Sequence, residues 1–215
     1  MFIGHFGLGY AAKRVAPRVP LPVLFGAAQL ADLLWPVLVA LGIEHVQIAR
    51  AETPFLSLVF LSYPYSHSLL MLAVWAVVFG TIYFFLTGDR RAMAVIVALV
   101  ISHWVLDVAM HRPDMPVWPG SPRYGFGLWY SVAGTVAVEC SLFVLGVWLY
   151  ARATRPRDAV GRWSFVGLVV LLGLMYSSIG AGLPPSVTAV WVVSLLGAAL
   201  ILALSWWSDR HRTAE

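Results

Sequence analysis

The sequence predicts an all-α, polytopic membrane bundle of about six transmembrane helices preceded by an N-terminal re-entrant or half-helix. Three observations predict it. Of 215 residues, 60% are hydrophobic and only 11% charged, whereas a soluble domain carries about 25% charged residues. Mean hydropathy is +0.83. Six apolar stretches approach the ~20 residues that cross a bilayer as a helix. They are Leu21–Ile43, Ser66–Leu86, Ala92–Met110, Gly125–Tyr150, Phe165–Leu183 and Ser186–Trp206.

Met1 to Ala12 is apolar but too short to span, and Lys13 and Arg14 follow it. A secretory signal carries its charge ahead of the apolar stretch, so no cleavage is expected. The segment instead reads as a half-helix that enters the membrane with its start buried. Pro17, Pro20 and Pro22 then turn the chain into the first full span. Two long segments, Glu44–Tyr65 and His111–Tyr124, join spans one to two and three to four. Their prolines and aromatic residues suit segments lying along an interface. Spans five and six read as scaffold. Gly167, Gly173, Gly180, Gly182 and Gly197 predict close helix approach there, and Trp206 and Trp207 fall where an interfacial belt belongs.

The basic residues test this arrangement. With six spans, Lys13, Arg14, Arg18, Arg90, Arg91, Arg152, Arg155, Arg157, Arg162, Arg210 and Arg212 share one side, and Arg50, Arg112 and Arg123 the other. Cytoplasmic loops are enriched in Lys and Arg. The distribution therefore predicts a bacterial-type inner membrane protein with both termini cytoplasmic. It also accounts for the pI near 9.5 without a nucleic-acid partner, and none is expected. The length fits one transmembrane domain, residues 1–215. Residues 1–125 are its candidate metal-site half, and 126–215 are mostly scaffold, Glu139 excepted.

Ionisable groups inside spans cost several kcal/mol unless they pair or face a polar cavity. Five stand out: His5 in the half-helix, Asp32 in span one, His67 opening span two, and His103 with Asp107 ending span three. A spacing of four places His103 and Asp107 on one helical face. Three histidines and two aspartates make an N/O ligand set suited to zinc, or less specifically to iron or manganese. At 1.5 Å per residue, His5 and Asp32 lie ~12–15 Å from the basic face, with the other three nearer the far side. No Lys or Arg within these spans neutralises the carboxylates. The sole cysteine, Cys140, offers neither a disulfide nor a thiolate site. In a second tier, His111 continues the Asp107 face, and Glu139 is an acid inside span four. Each reads as a further ligand or, for Glu139, a general base or a helix-joining hydrogen bond. Arg112, Asp114 and Arg123 on the adjoining loop are candidates to hold an anionic substrate group such as phosphate, and equally ordinary interface residues.

The order His5, Asp32, Ser66-His67-Ser68, Ser102-His103-x-x-x-Asp107 and Met115-Pro-Val-Trp-Pro119 resembles the bacterial inner-membrane metal-dependent hydrolases of the LexA-binding type, over residues 1 to about 120. Members commonly show Asp-x-Asp-His-Pro where this chain has Asp32-Leu-Leu-Trp-Pro36. They show His-Arg-Gly-x-Thr-His-Ser where it has Ser62-Tyr-Pro-Tyr-Ser-His67-Ser68. The ligand order is also similar to that of zinc-dependent phospholipase C. That likeness implies one to three zinc ions. Asp32, His67, His103 and Asp107 would share one site, His5 and a bridging Asp107 a second, and His111 with Glu139 a third. It implies phosphoester hydrolysis with Asp32 or Glu139 taking a proton from water and Arg112 or Arg123 offsetting substrate charge. A site between helices suits a lipid or lipid-linked phosphoester, with membrane lipids as partners. The residues alone leave two other readings: a metal-ion or proton transporter using the same groups as a relay, and a structural or regulatory membrane protein.

Overall fold

The computed structural model describes residues 1–214, and its architecture is the expected helical bundle. Five helices are long and apolar enough to cross a membrane, and a bent pair supplies a sixth. The chain is a multi-pass membrane protein. In order, the helices are α1 (Ile3–Ala12), α2 (Leu21–Ala28), α3 (Leu30–Ala40), a single turn α4 (Pro64–His67), α5 (Leu69–Thr87), α6 (Arg90–Met110), α7 (Val132–Ala153), α8 (Ala159–Ser177) and α9 (Val187–Arg210). Strands are confined to three short antiparallel pairs: β1 (His45–Ile48) with β2 (Leu58–Ser62), β3 (Met115–Pro116) with β4 (Arg123–Tyr124), and β5 (Thr154–Pro156) with β6 (Arg212–Ala214).

The long helices start where a short polar side chain takes an orphan backbone amide. Ser68 accepts from Met71 N, Asp89 from Ala92 N, Ser131 from Gly134 N, Asp158 from Gly161 N and Ser186 from Ala189 N. Gly88 ends α5 in the left-handed conformation, at φ 71°, where glycine carries no steric penalty.

Span one differs from the continuous helix expected over Leu21–Ile43. It is two helices meeting at 63°, broken at Gln29, whose φ of −106° and ψ of 13° leave α geometry. Asp32 therefore lies in the first turn of α3 rather than in mid-helix. Pro36, four residues on, has no N–H to offer the Asp32 carbonyl. The segment 44–65 does not simply lie flat. It folds into the β1–β2 hairpin, with Val46 opposite Phe60, over that end of the bundle.

Helix α1 occupies the centre. Ala12 packs with Ala27, Ala76, Ala92 and Ile96, while Ile3, Phe6 and Tyr10 pack with Phe143, Tyr150, Leu168 and Ile201. The close approach is made by Gly7 and Gly146: a Cβ on either would run into backbone of the helix opposite. The glycines expected to play that role do not. Gly167, Gly173, Gly180 and Gly182 have nothing within 4 Å of a built Cβ, and Gly197 meets only a Met175 side chain. Trp206 and Trp207 are half exposed near the end of α9, and the Arg210 guanidinium lies 4.7 Å over the Trp206 ring. At that same end, Lys13 Nζ donates to Asp209 Oδ2 at 2.7 Å, and Asp209 also accepts from Leu21 N and Tyr150 OH. The basic residues thus mark one end of the bundle and the β1–β2 hairpin marks the other. Met1 is buried deep between α6 and α7, its amine on Asp107 Oδ1 at 2.6 Å, as a half-helix entering with its start buried would place it.

Candidate metal centre

Each element delivers its side chain to one point. Helix α1 carries His5 inward from the basic end, and α3 supplies Asp32 from just past the break. The α4 turn supplies His67, and successive turns of α6 supply His103 and Asp107. His5, His67, His103, Asp107 and His111 are all buried. Only Asp32 has substantial side-chain exposure, 38%.

What the imidazoles touch on their far sides fixes their tautomers. His103 Nδ1 lies 2.8 Å from the Ala28 carbonyl, which can only accept, so this nitrogen carries hydrogen. His111 Nδ1 donates to Asp114 Oδ1 at 2.9 Å. His67 Nδ1 lies 2.7 Å from Ser66 Oγ, whose own hydrogen goes to Glu44 Oε2 at 2.6 Å, so the serine oxygen accepts from the ring. When these rings are neutral, the Nε2 lone pair of each points inward. Second partners of this kind are what hold histidine ligands on a metal.

Those lone pairs converge on carboxylate oxygens, which also have only lone pairs to offer. His67 Nε2 is 3.4 Å from Asp32 Oδ1 and 3.9 Å from Asp107 Oδ2. His103 Nε2 is 3.2 Å from Asp107 Oδ2 and 3.9 Å from Asp32 Oδ1, and has no hydrogen-bond partner. His111 Nε2 is 3.8 Å from Asp107 Oδ2. Neutral imidazoles and carboxylates arranged this way repel unless a cation lies among them; the Met1 amine meets only the Asp107 oxygen on the His5 side. Ligands ~2.0–2.1 Å from a tetrahedral zinc lie about 3.3 Å apart; Asp32, His67 and His103 form a group able to hold such an ion, with Asp107 Oδ2 beside His103. The other Asp107 oxygen faces His5 Nε2 at 3.0 Å, and the His5 and His103 rings stack with centroids 3.8 Å apart. His5, His103 and Asp107 form a second group by distance, but the single Nε2 lone pair of His103 serves one ion, which leaves His5 and the other Asp107 oxygen to any second one.

Comparison with family models, with curated proteins and with solved structures finds no match to this chain. The site therefore stands on its own geometry.

Four further residues singled out in the sequence are placed differently. Glu139 Oε2 accepts from Phe2 N at 2.8 Å and Gly4 N at 3.2 Å. It caps α1, which has no capping side chain of its own. Its carboxylate also borders the cavity described below. Asp114 does not present itself to a substrate: it holds His111 and accepts from Tyr63 OH at 2.8 Å. Burial, reinforced by that carboxylate, keeps the Tyr63 phenol well above its ordinary pKa, so it remains a donor. Arg112 donates to the Leu56 and Leu58 carbonyls and Arg123 to the Leu61 carbonyl. Both guanidiniums pin the hairpin rather than facing the cluster, because loop carbonyls satisfy them first.

Glu44 is the residue that sequence reasoning missed. Buried at the end of span one, it accepts from Tyr65 N, Ser66 N and Ser66 Oγ and so sets His67. Glu44→Ala is expected to lower zinc affinity about 10–100-fold, the usual effect of losing such an outer partner. Glu44→Gln should recover part of it. Competition against a fluorescent chelator measures both, and unchanged affinity in Glu44→Ala would remove Glu44 from this role.

A cavity of about 670 Å³ opens directly on the cluster, bordered by Asp32, His67, Asp107, His111 and Glu139. Helices α8 and α9 form its far wall through residues such as Met175 and Ala198, so they do more than brace the bundle.

Proposed function

We propose that the protein is a membrane-embedded metal-dependent hydrolase of a phosphoester, lipid or lipid-linked, acting at a zinc centre of Asp32, His67, His103 and Asp107. The observation that carries this is the convergence of three imidazole lone pairs on two carboxylates. The likeness of the ligand order to inner-membrane metal-dependent hydrolases and to zinc-dependent phospholipase C supports it. A transporter also uses intramembrane acids and histidines, but it needs no set of fixed tautomers aimed at one point. By the positive-inside rule, the basic end faces the cytoplasm of a bacterial-type inner membrane and the cavity opens toward the opposite leaflet.

Held by Asp32, His67, His103 and Asp107, a divalent ion would supply Lewis acidity to a bound water and to the phosphoryl oxygen. Asp32 is the carboxylate most open to the cavity. Its Oδ1 faces His67 and His103, leaving Oδ2 to take the proton as the water oxygen bonds to phosphorus. The P–O bond to the alcohol then breaks, and the alcohol oxygen receives a proton. Glu139, bordering the same cavity, can supply it, or water can.

The test is hydrolysis of bis(p-nitrophenyl) phosphate and of a short-chain phospholipid by zinc-loaded protein in detergent. His103→Ala is expected to cut the rate roughly 1000-fold, the several kcal/mol a metal contributes to transition-state stabilisation. Hydrolysis that survives both His103→Ala and chelation would refute the proposal.

A further inference from the structure

The cavity has a polar mouth at the cluster and an apolar body along α9. Val190, Ser194, Gly197, Ala198 and Ile201 face into it. Small side chains at 194, 197 and 198 leave a trench where larger ones would have closed the gap to α8, and Gly197 is covered only by the Met175 methyl. Val193 lines the same space and is 63% exposed, so the trench opens sideways to the surroundings of the bundle. At this depth those surroundings are hydrocarbon, and an apolar slot does not hold water.

Three polar atoms at the cluster end have no partner: Trp35 Nε1, Trp129 Nε1 and Gln29 Oε1. All three residues line the cavity, and Trp35 and Gln29 are more than nine-tenths buried. A buried donor without an acceptor costs about 1–3 kcal/mol. Two indole donors beside a trench and a carboxylate cluster call for a ligand with acceptor oxygens at its head–chain junction.

We infer that this cavity is the binding site for one membrane phospholipid, with one acyl chain in the α9 trench and its ester oxygens on the Trp35 and Trp129 indoles. The phosphate lies at the Asp32–Asp107 cluster. The chain enters sideways past Val193. The inference rests on the hydrolase reading only for what happens at the phosphate, since chain and ester recognition need no metal. It sets a substrate limit: a soluble phosphoester fills the mouth but leaves the trench and both indoles unused.

The test uses vesicles of phosphatidylethanolamine and phosphatidylglycerol, the latter bearing a diazirine near the end of one acyl chain. After photolysis, label is mapped by mass spectrometry. Inward positions Ser194, Ala198 and Ile201 are expected to be labelled and competed by unlabelled phosphatidylglycerol. Outward Leu196 and Leu200 report bulk lipid and are not competed. Ala198→Trp is expected to cut inward labelling at least tenfold, and Trp35→Phe to weaken competition about tenfold. Label confined to outward positions in the wild type overturns the inference, whether or not any variant folds. Inward labelling that Ala198→Trp leaves unchanged overturns it too. His103→Ala should label like the wild type: the lipid site then survives even if no metal is ever found, and a metal found without inward labelling spares only the hydrolase reading.

Discussion

Replacing Asp107 with alanine is expected to lower zinc affinity more than about 100-fold and to leave the purified protein free of metal. The loss exceeds that from an outer partner because Asp107 serves both groups. One oxygen faces His67, His103 and His111, and the other faces His5. Removing it leaves four buried imidazoles without their common partner. His5→Ala touches only the second group, so it should lower the number of ions bound while sparing the Asp32–His67–His103–Asp107 site. Metal content by elemental analysis, compared across the two variants, reads the difference. Equal loss in both would mean that the centre is not divided as the distances indicate.

The second large effect lies at the contact of α1 with α7. Gly146→Val is expected to destabilise the bundle by about 3 kcal/mol, the upper part of the range for overpacking. Neither helix can yield: the built Cβ runs into Gly7 backbone, not a flexible side-chain end. Because α1 carries His5, the same substitution should weaken metal retention at the second group. Gly167→Val and Gly173→Val meet nothing within 4 Å and should change stability by less than about 0.5 kcal/mol. Loss of tryptophan fluorescence on titration with sodium dodecyl sulfate orders the three variants. Gly146→Val unfolding no earlier than the other two would show that the helices have room to part.

The spans and the shared face of His103 and Asp107 were legible because both are local. Hydropathy over twenty residues reports a helix in lipid, and a spacing of four in His103 and Asp107 reports one helical face whatever the rest of the chain does. The burial of α1 with its start near Asp107 followed from an apolar stretch too short to span with Lys13 at its end. The bend at Gln29 carried no such sign: a single glutamine in an apolar run is compatible with a continuous helix, and the deviation lies in that one residue's dihedrals. Glu44 was hidden for another reason. It meets Ser66 across a hairpin of more than twenty residues, and no period links them. Arg112 and Arg123 left a phosphate contact and an ordinary interface role open, because a loop guanidinium looks the same in sequence whether an anion or a carbonyl satisfies it. Glycine composition in α8 and α9 suggested close packing, yet the decisive pair is Gly7 and Gly146, one of them in a helix too short to attract notice as a packing partner.

Asp114 shows how a local reading can be right about place and wrong about role. It sits beside the site as expected, but its oxygen is committed to His111 and Tyr63. What looked like a substrate contact is a hydrogen-bond partner of His111. By contrast, the indoles of Trp35 and Trp129 gave no signal at all, since an aromatic residue in a membrane protein is ordinary. Only the lack of a partner for their N–H groups makes them informative.

The central claim is that two aspartates and two histidines hold a metal ion, and X-ray absorption at the zinc edge of the detergent-purified, zinc-loaded protein tests it most directly. The expected result is a first shell of nitrogen and oxygen only, at about 2.0–2.1 Å, with outer-shell scattering from two or more imidazoles that is lost in His103→Ala. A sulfur shell near 2.3 Å, which Cys140 alone could supply, or a spectrum that His103→Ala leaves unchanged, would contradict it.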